Sequence, residues 1–173
     1  MKETKTSIAL TLILLCTAVL VVLDQWVKHL CVLHLKGQEP ITLISGVLEL
    51  RYLENHGAAF GMLQNQQWFF WILTAVFICA AMWFFVKVPK TGYYLPAILS
   101  VTFLLAGAVG NFIDRITMKY VVDFIYFRLI DFPIFNIADI YVTCSMAVLI
   151  LLILFKYKDE DFAFLSGKKN NTK

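Results

Sequence analysis

Aspartates stand at the edges of the long apolar runs of this 173-residue chain, where carboxylate chemistry is possible. Two carboxylates in a low-dielectric site do not easily ionise together, so one pKa rises and the pair shares a proton. Such a pair can deprotonate a water molecule while it protonates a substrate carbonyl oxygen, without a metal or a covalent intermediate. Residue type and spacing leave five candidates for the pair: Asp24, Asp114, Asp123, Asp131 and Asp139.

Other polar residues accompany these acids, and each is a functional candidate because a polar group at membrane depth is costly. Asp24 and Lys28 are four residues apart, and Asn136 and Asp139 are three apart, so each pair lies on one helix face. Asn55, Asn111, Asp114 and Arg115 complete the set.

Purely structural roles are open for the same residues. Asp24 with Lys28 can be a helix-end ion pair, and Asp114 with Arg115 an interfacial pair without chemistry. Asn136 or Asp139 can cap a helix, because their side-chain oxygens accept free N–H groups at its start.

Metal and nucleic-acid chemistry are not expected. The three histidines and four cysteines show neither metal-ligand spacing nor a disulfide framework, so we predict no metal site and no cofactor. No basic stripe interleaved with aromatic residues is present, which argues against a nucleic-acid partner.

The elements that position the polar residues are predicted to be membrane-spanning helices. The chain is 60% hydrophobic and 16% charged, with a mean hydropathy of +0.75, against about 45–50% and 25% in soluble proteins. Four apolar stretches predict an all-α integral membrane protein with a single membrane domain over residues 1–173. The predicted spans are about 8–27, 68–86, 95–113 and 137–155, and a 19-residue span gives a helix of ~28 Å.

The distribution of lysine and arginine predicts the orientation. Nine of the fifteen basic residues lie in the N-terminal tail, the second loop and the C-terminal tail. We therefore predict that both termini are cytoplasmic and that the loops at about 28–67 and 114–136 are extracytoplasmic.

The first outer loop is predicted to hold a small β-sheet. Apolar and polar residues alternate from Leu48 to Leu53, which is typical of a half-buried strand, and Ile41–Ile44 is its predicted hairpin partner. The aromatic residues of Phe124–Phe127 are predicted to lie at the membrane interface. Gly107 and Gly110 are predicted to allow close helix packing.

Five ordered motifs resemble those of the bacterial lipoprotein signal peptidases, also called signal peptidase II. They cover nearly the whole chain and are specific as a set: Asp24–Lys28, Asn55–Phe60, Gly107–Arg115, Val121–Phe124 and Phe132–Asp139. The family often has a glycine before Gly107, where this chain has Ala106, so the closeness of helix packing there is in question.

The resemblance implies a membrane-embedded aspartic endopeptidase of the bacterial cytoplasmic membrane, with its active site near the extracytoplasmic face. Such an enzyme removes the signal peptide from prolipoproteins that carry diacylglyceryl-cysteine, cleaving on the amino side of that cysteine. Asp123 and Asp139 match the family's catalytic pair. The residues implied to support the site or the substrate are Asp24, Lys28, Asn55, Gly57, Asn111, Asp114, Arg115 and Asn136.

The resemblance also implies membrane lipid and globomycin-type cyclic peptide inhibitors as partners. We further expect Tyr52 and Phe60 to clamp the polar part of the substrate. The alternative function is a small transporter or proton-conducting protein that uses the same carboxylates as a relay. A relay favours charges near the bilayer midplane, whereas these lie at the ends of the spans.

Overall fold

Four long helices make up most of the computed structural model, which describes residues 2–57, 63 and 66–165, with residues 2–6 described in their backbone alone. They are α1 (Lys2–Leu35), α2 (Gln67–Lys87), α3 (Leu95–Thr117) and α4 (Ile137–Phe155). All four are long and apolar enough to cross a membrane, which confirms the predicted number of spans.

Helix α1 continues eight residues beyond the span predicted to end at 27. Asp24 and Lys28 do not end it, because the Lys28 ammonium lies 3.0 Å from Asp24 Oδ2 one turn away and both side chains are buried. Helix α4 has the predicted bounds of 137–155, whereas α3 continues past 113 to Thr117.

The sheet contains β1 (Ile41–Ile44), β2 (Leu48–Asn55) and β3 (Val121–Phe127), in that order and all antiparallel. The predicted hairpin between the first two strands is confirmed, with Ile41 opposite Leu50. Placing the sheet in the first outer loop alone was wrong, because β3 comes from the segment between α3 and α4. It pairs Asp123 with Leu53 on β2.

The sheet packs on the end of helix α1. Val122 and Phe124 of β3 form a buried cluster with Cys31 and Leu35, and Leu50 and Tyr52 pack against it. Phe124 is therefore a core residue and not the interfacial aromatic that we predicted, whereas Phe127 is exposed.

Helix α3 lies in contact with each of the other three helices. A Cβ atom on Gly107 would lie 2.5 Å from the backbone oxygen of Ala138 on α4, and one on Gly110 would lie 2.5 Å from Asp24 Oδ2 on α1. These distances leave no room for a side chain, which confirms the predicted close packing. The close packing at these two glycines also brings the polar residues of α1, α3 and α4 together.

Candidate active site

The polar residues singled out above meet where α1, α3 and α4 reach the sheet. Asp131 is the exception among the five candidate aspartates, since it is exposed and accepts a 2.5 Å hydrogen bond from the Tyr126 hydroxyl. The other nine candidates that α1, α3, α4 and the strands contribute are linked by hydrogen bonds or ion pairs: Asp24, Lys28, Asn55, Asn111, Asp114, Arg115, Asp123, Asn136 and Asp139. Gly57 joins them through its backbone N–H and carbonyl groups.

Asn136 joins the two aspartates of the predicted pair. Its side-chain amide donates to Asp123 Oδ1 at 2.6 Å, and its side-chain oxygen accepts the backbone N–H of Asp139 at 3.0 Å. Its own backbone N–H donates to Asp139 Oδ2 at 3.1 Å, which completes a capping box at the start of α4. The helix-capping role is therefore present, and the same residue bridges the two carboxyls.

Asn111 holds the other oxygen of Asp139. Its Nδ2 donates to Asp139 Oδ1 at 2.8 Å, and its Oδ1 accepts hydrogen bonds from Lys28 Nζ at 2.8 Å and from Asn136 Nδ2 at 3.2 Å. Because an ammonium group only donates, Lys28 determines which way the Asn111 amide faces.

Asn55, at the end of β2, is oriented in the same manner. Its Oδ1 accepts the backbone N–H of Gly57 at 3.0 Å, so its Nδ2 is the group that donates to Asp123 Oδ2 at 2.8 Å. Both oxygens of Asp123 thus accept from amides, and the carboxyl has one orientation.

The environment of Asp123 favours its protonated form. Burial, followed by the negative charge of Asp139, raises the pKa of Asp123 from 3.8 to about 7. The amides of Asn55 and Asn136 oppose this change, because they stabilise the carboxylate.

Lys28 has three partners, one for each of its protons. It lies 3.0 Å from Asp24 Oδ2 and 3.0 Å from Asp114 Oδ2, and it donates to Asn111. The ion pair predicted at the end of α1 is thus part of a larger group. Asp114 pairs with Lys28 and not with its neighbour Arg115.

Arg115 faces the open side of the site. Its guanidinium donates to the carbonyl oxygens of Asn111 at 3.3 Å and Gly57 at 3.2 Å, and it lies 4.3 Å from the centre of the Phe70 ring.

A cavity of about 730 Å³ opens beside Asp123 and Asp139. Its lining continues along helix α4 beyond Asp139, first over Ile140 and then over Thr143 and Cys144, all of which are exposed. Its other wall is the segment Phe132–Phe135, and Asn55, Asn111 and Arg115 complete the polar end. The cavity therefore joins the two carboxyls to the exposed surface of a helix that is long and apolar enough to cross a membrane.

Tyr52 is not among the residues that line this cavity. It packs on the α1 side of the sheet, and its hydroxyl donates to Glu54 Oε1 at 3.1 Å. The expected substrate clamp is therefore not supported at Tyr52, and Phe60 lies outside the described residues.

Comparison with known proteins identifies the family. The family model described as signal peptidase (SPase) II matches residues 16–155. This chain belongs to the signal peptidase II family. It is thus a bacterial membrane peptidase, as its four apolar helices also indicate.

Similar proteins extend over most of the chain. The lipoprotein signal peptidase of Streptococcus thermophilus strain CNRZ 1066 is 45% identical over 142 residues, which is 82% of this chain and 90% of that protein. The lipoprotein signal peptidase of Brevibacillus brevis is 43% identical over 157 residues, or 90% of this chain and 97% of that one. A bacterial membrane enzyme solved by the in meso method at 2.3 Å has a TM-score of 0.76 at 33% identity and covers 94% of this chain and 95% of its own.

Gln25 is a polar residue of this signal peptidase II site that the sequence analysis does not single out. Gln25 Nε2 lies 2.8 Å from Asp114 Oδ1, 3.1 Å from the Gly110 carbonyl oxygen and 3.2 Å from Asp24 Oδ2. The signal that could have found Gln25 is its position between Asp24 and Lys28 in a predicted membrane span. An amide side chain inside a span is costly unless it is hydrogen-bonded, so it is a functional candidate like those charges.

Proposed function

We propose that this signal peptidase II is an aspartic endopeptidase that removes signal peptides from prolipoproteins carrying diacylglyceryl-cysteine. Cleavage is on the amino side of the lipidated cysteine, and Asp123 and Asp139 are the catalytic pair. The observation that carries the proposal is that both carboxyls belong to one hydrogen-bonded network of amides and line one cavity.

The chemistry is the hydrolysis of one peptide bond. The pair shares one proton, and the raised pKa of Asp123 supports this state near neutral pH. The ionised carboxylate takes a proton from a water molecule, whose oxygen attacks the scissile carbonyl carbon, while the protonated carboxyl gives its proton to the carbonyl oxygen. When the tetrahedral intermediate collapses, the protonated carboxyl gives its proton to the leaving nitrogen as the C–N bond breaks. One hydroxyl of the intermediate returns a proton to the ionised carboxylate as the C=O bond forms again, so the pair again holds one proton.

The shape of the cavity supports a lipid-modified substrate. Its lining along Ile140, Thr143 and Cys144 lies on the membrane-facing side of α4. Acyl chains and an apolar signal helix can therefore remain in the bilayer while the scissile bond reaches the carboxyls. Holding the reactants in this way supplies much of the catalytic advantage. Globomycin-type cyclic peptides would inhibit the enzyme by occupying the same cavity.

The proposed topology has both termini in the cytoplasm, and the sheet and the carboxyls at the extracytoplasmic face of the bacterial cytoplasmic membrane. The excess of lysine in the tails and in the loop between α2 and α3 supports it.

Asparagine variants test the catalytic pair. Asp123→Asn and Asp139→Asn each remove an acid at nearly constant size, so we expect turnover of a diacylglyceryl-modified precursor to fall by about 10³-fold or more while the protein still inserts. Asp131→Asn is the matched control, because it makes the same change at the one candidate aspartate that lies outside the network and is exposed. This variant should cleave the precursor at the wild-type rate.

Near-normal turnover by either Asp123→Asn or Asp139→Asn would show that the pair is wrongly assigned. Proteoliposomes that move protons but never cleave the precursor would instead favour the transporter alternative.

A further inference from the structure

A second pair of carboxylates lies behind Asp123 and Asp139 and holds the backbone next to each of them. Asp24 Oδ1 accepts the backbone N–H of Ala138 at 3.1 Å, and Ala138 immediately precedes Asp139. Asp114 Oδ2 accepts the backbone N–H of Val122 at 3.2 Å, and Val122 immediately precedes Asp123. Each proposed catalytic aspartate is thus held at the residue before it by a different buried acid.

The two supporting acids belong to different helices, α1 and α3, and two α1 side chains tie them together. Lys28 lies 3.0 Å from one oxygen of each acid. Gln25 lies 2.8 Å from the other oxygen of Asp114, and it also contacts Asp24 Oδ2 and the Gly110 carbonyl oxygen. We call Asp24, Gln25, Lys28 and Asp114 the brace.

The brace is tightly packed by its neighbours. Gly110 faces the Asp24 carboxylate so closely that a Cβ atom there would be 2.5 Å from Oδ2. Asp24 and Asp114 are almost completely buried. Neither carboxylate can move without losing a partner, so the brace transmits the relative position of α1 and α3 to strand β3 and helix α4.

Within the brace, Gln25 has a role that differs from that of the charged members. The two carboxylates share one ammonium, and Asp114 Oδ1 has Gln25 as its side-chain donor. Replacing Gln25 changes no charge, yet it leaves that oxygen without the amide and removes one of the two side-chain links between the acids, the other being Lys28. A buried acceptor without its donor is energetically costly, which favours a displacement of Asp114.

We infer that the brace sets the relative position of Asp123 and Asp139, and that Gln25 is a positioning residue for the hydrolysis. This inference rests on the proposed function, because it takes these two aspartates as the catalytic pair. Gln25 does not line the cavity, so its effect reaches the reaction through its partners Asp24, Asp114 and the Gly110 carbonyl group.

Gln25→Met tests the inference, since methionine has a similar length and no hydrogen-bonding amide. We expect kcat for a diacylglyceryl-modified precursor to fall on the order of tenfold, because a small displacement of the reacting groups slows the chemistry. KM should stay within about twofold of the wild-type value, because the cavity lining is unchanged. The unfolding temperature is measured on the same preparations in detergent.

Thr102→Val is the matched control. Thr102 is buried on α3, and its hydroxyl donates within its own helix, to the Ile98 carbonyl oxygen at 2.7 Å. The variant also loses a buried polar group of α3 but touches neither the brace nor the cavity beside Asp123, so it should keep the wild-type kcat even where its unfolding temperature falls.

Two results would overturn the inference. A Gln25→Met protein with wild-type kcat, whatever its unfolding temperature, would show that Gln25 only stabilises the fold. Raised KM with unchanged kcat would show that it acts on substrate binding. Lys28→Met provides a second test of the brace, and wild-type kcat in a folded Lys28→Met protein would also contradict it.

The same assay separates this failure from that of the proposed function. If Asp123→Asn and Asp139→Asn are inactive while Gln25→Met is normal, the catalytic pair stands and the brace does not position it. If those asparagine variants are active, the proposed function fails first.

Discussion

Asn136 donates a 2.6 Å hydrogen bond from its side-chain amide to Asp123 Oδ1. The bond joins the first turn of a membrane-spanning helix to a strand of the sheet. Since Asn136 also caps the helix that carries Asp139, one residue directly links the two elements that hold the proposed catalytic pair.

Asn136→Ser separates the two roles of this residue. Serine is as good a helix cap as asparagine. The variant loses the buried bond to Asp123, so we expect the free energy of unfolding to fall by about 1–3 kcal/mol. Serine is too short to bridge to Asp123, so we expect precursor turnover to fall by about 100-fold. Detergent unfolding curves and a cleavage assay on one preparation measure both quantities. Wild-type turnover by Asn136→Ser, which keeps the cap and loses the bridge, would mean that the cap alone matters.

The pH dependence of turnover follows from the Asp123 carboxyl. Burial, and then the charge of Asp139, raises its pKa to about 7, so the proton of the pair is lost as the pH rises above that value. We expect kcat to fall about tenfold per pH unit on the alkaline side. Asp131→Asn should leave this limb unchanged. A rate that stays constant from pH 7 to 9 would contradict the assignment.

Stability should change with pH in the same region, and the sign follows from proton binding. The Asp123 pKa is 3.8 as an ordinary value and about 7 in the folded chain, so between these values the folded state binds the proton more tightly than the unfolded state. The contribution of Asp123 to the free energy of unfolding therefore decreases as the pH rises from about 4 to 7. Asp123→Asn should remove this part of the dependence, as followed by unfolding at several pH values. A wild-type slope in that variant would assign the dependence to other groups.

Gly107→Ala tests the contact between α3 and α4. The new Cβ atom would lie 2.5 Å from the Ala138 backbone oxygen and 2.8 Å from Val142 Cγ2, and backbone gives way less easily than a flexible side chain. We expect a loss of about 1–3 kcal/mol of unfolding free energy, together with lower turnover as Asp139 moves away from Asn111. Gly92→Ala is the control, since nothing lies within 4 Å of its added Cβ atom. Wild-type stability of Gly107→Ala would show that the helices can separate at little cost.

Cys144→Trp tests whether substrate occupies the cavity along α4. Cys144 lines this cavity, so a bulky ring there should lower kcat/KM by at least about tenfold, chiefly through KM. Cys79→Trp makes the same change at an exposed cysteine of α2 outside the cavity, and it should cleave normally. If the two variants behave alike, the substrate does not use the α4 side of the cavity.

The sequence predicts the helices better than the sheet. Helix α4 is bounded by a capping asparagine and a lysine, and its limits agree with the hydropathy pattern. The span predicted for helix α1 is too short, because charged residues such as Asp24 and Lys28 usually mark the end of a membrane span. The structure shows that the two form an ion pair inside the helix. Strand β3 lacks the alternation that reveals β2, because its first four residues are all buried.

The site was predictable in part for a related reason. Because polar groups at membrane depth are costly, acids and amides at the ends of the predicted spans indicate a functional site. The span boundaries and the residue types are therefore sufficient to predict where in the protein the site lies. Choosing Asp123 and Asp139 from five aspartates required the family motifs, because which carboxyls converge depends on strand pairing and on helix contacts far apart in the chain. The contacts of Gln25 could not be predicted from the sequence, because its partners include a residue 89 positions away in the chain.

Asp123 lies on β3 and Asp139 lies on α4, the last of the four membrane-spanning helices to leave the ribosome. Asn136, which bridges the two carboxyls, also belongs to the start of that helix. During synthesis, a chain with three helices inserted therefore has neither the second carboxyl nor its bridge. With Asp123 and Asp139 as the proposed catalytic pair, proteolytic competence would arise only at the final insertion step, and a partly inserted chain would not cut neighbouring precursors.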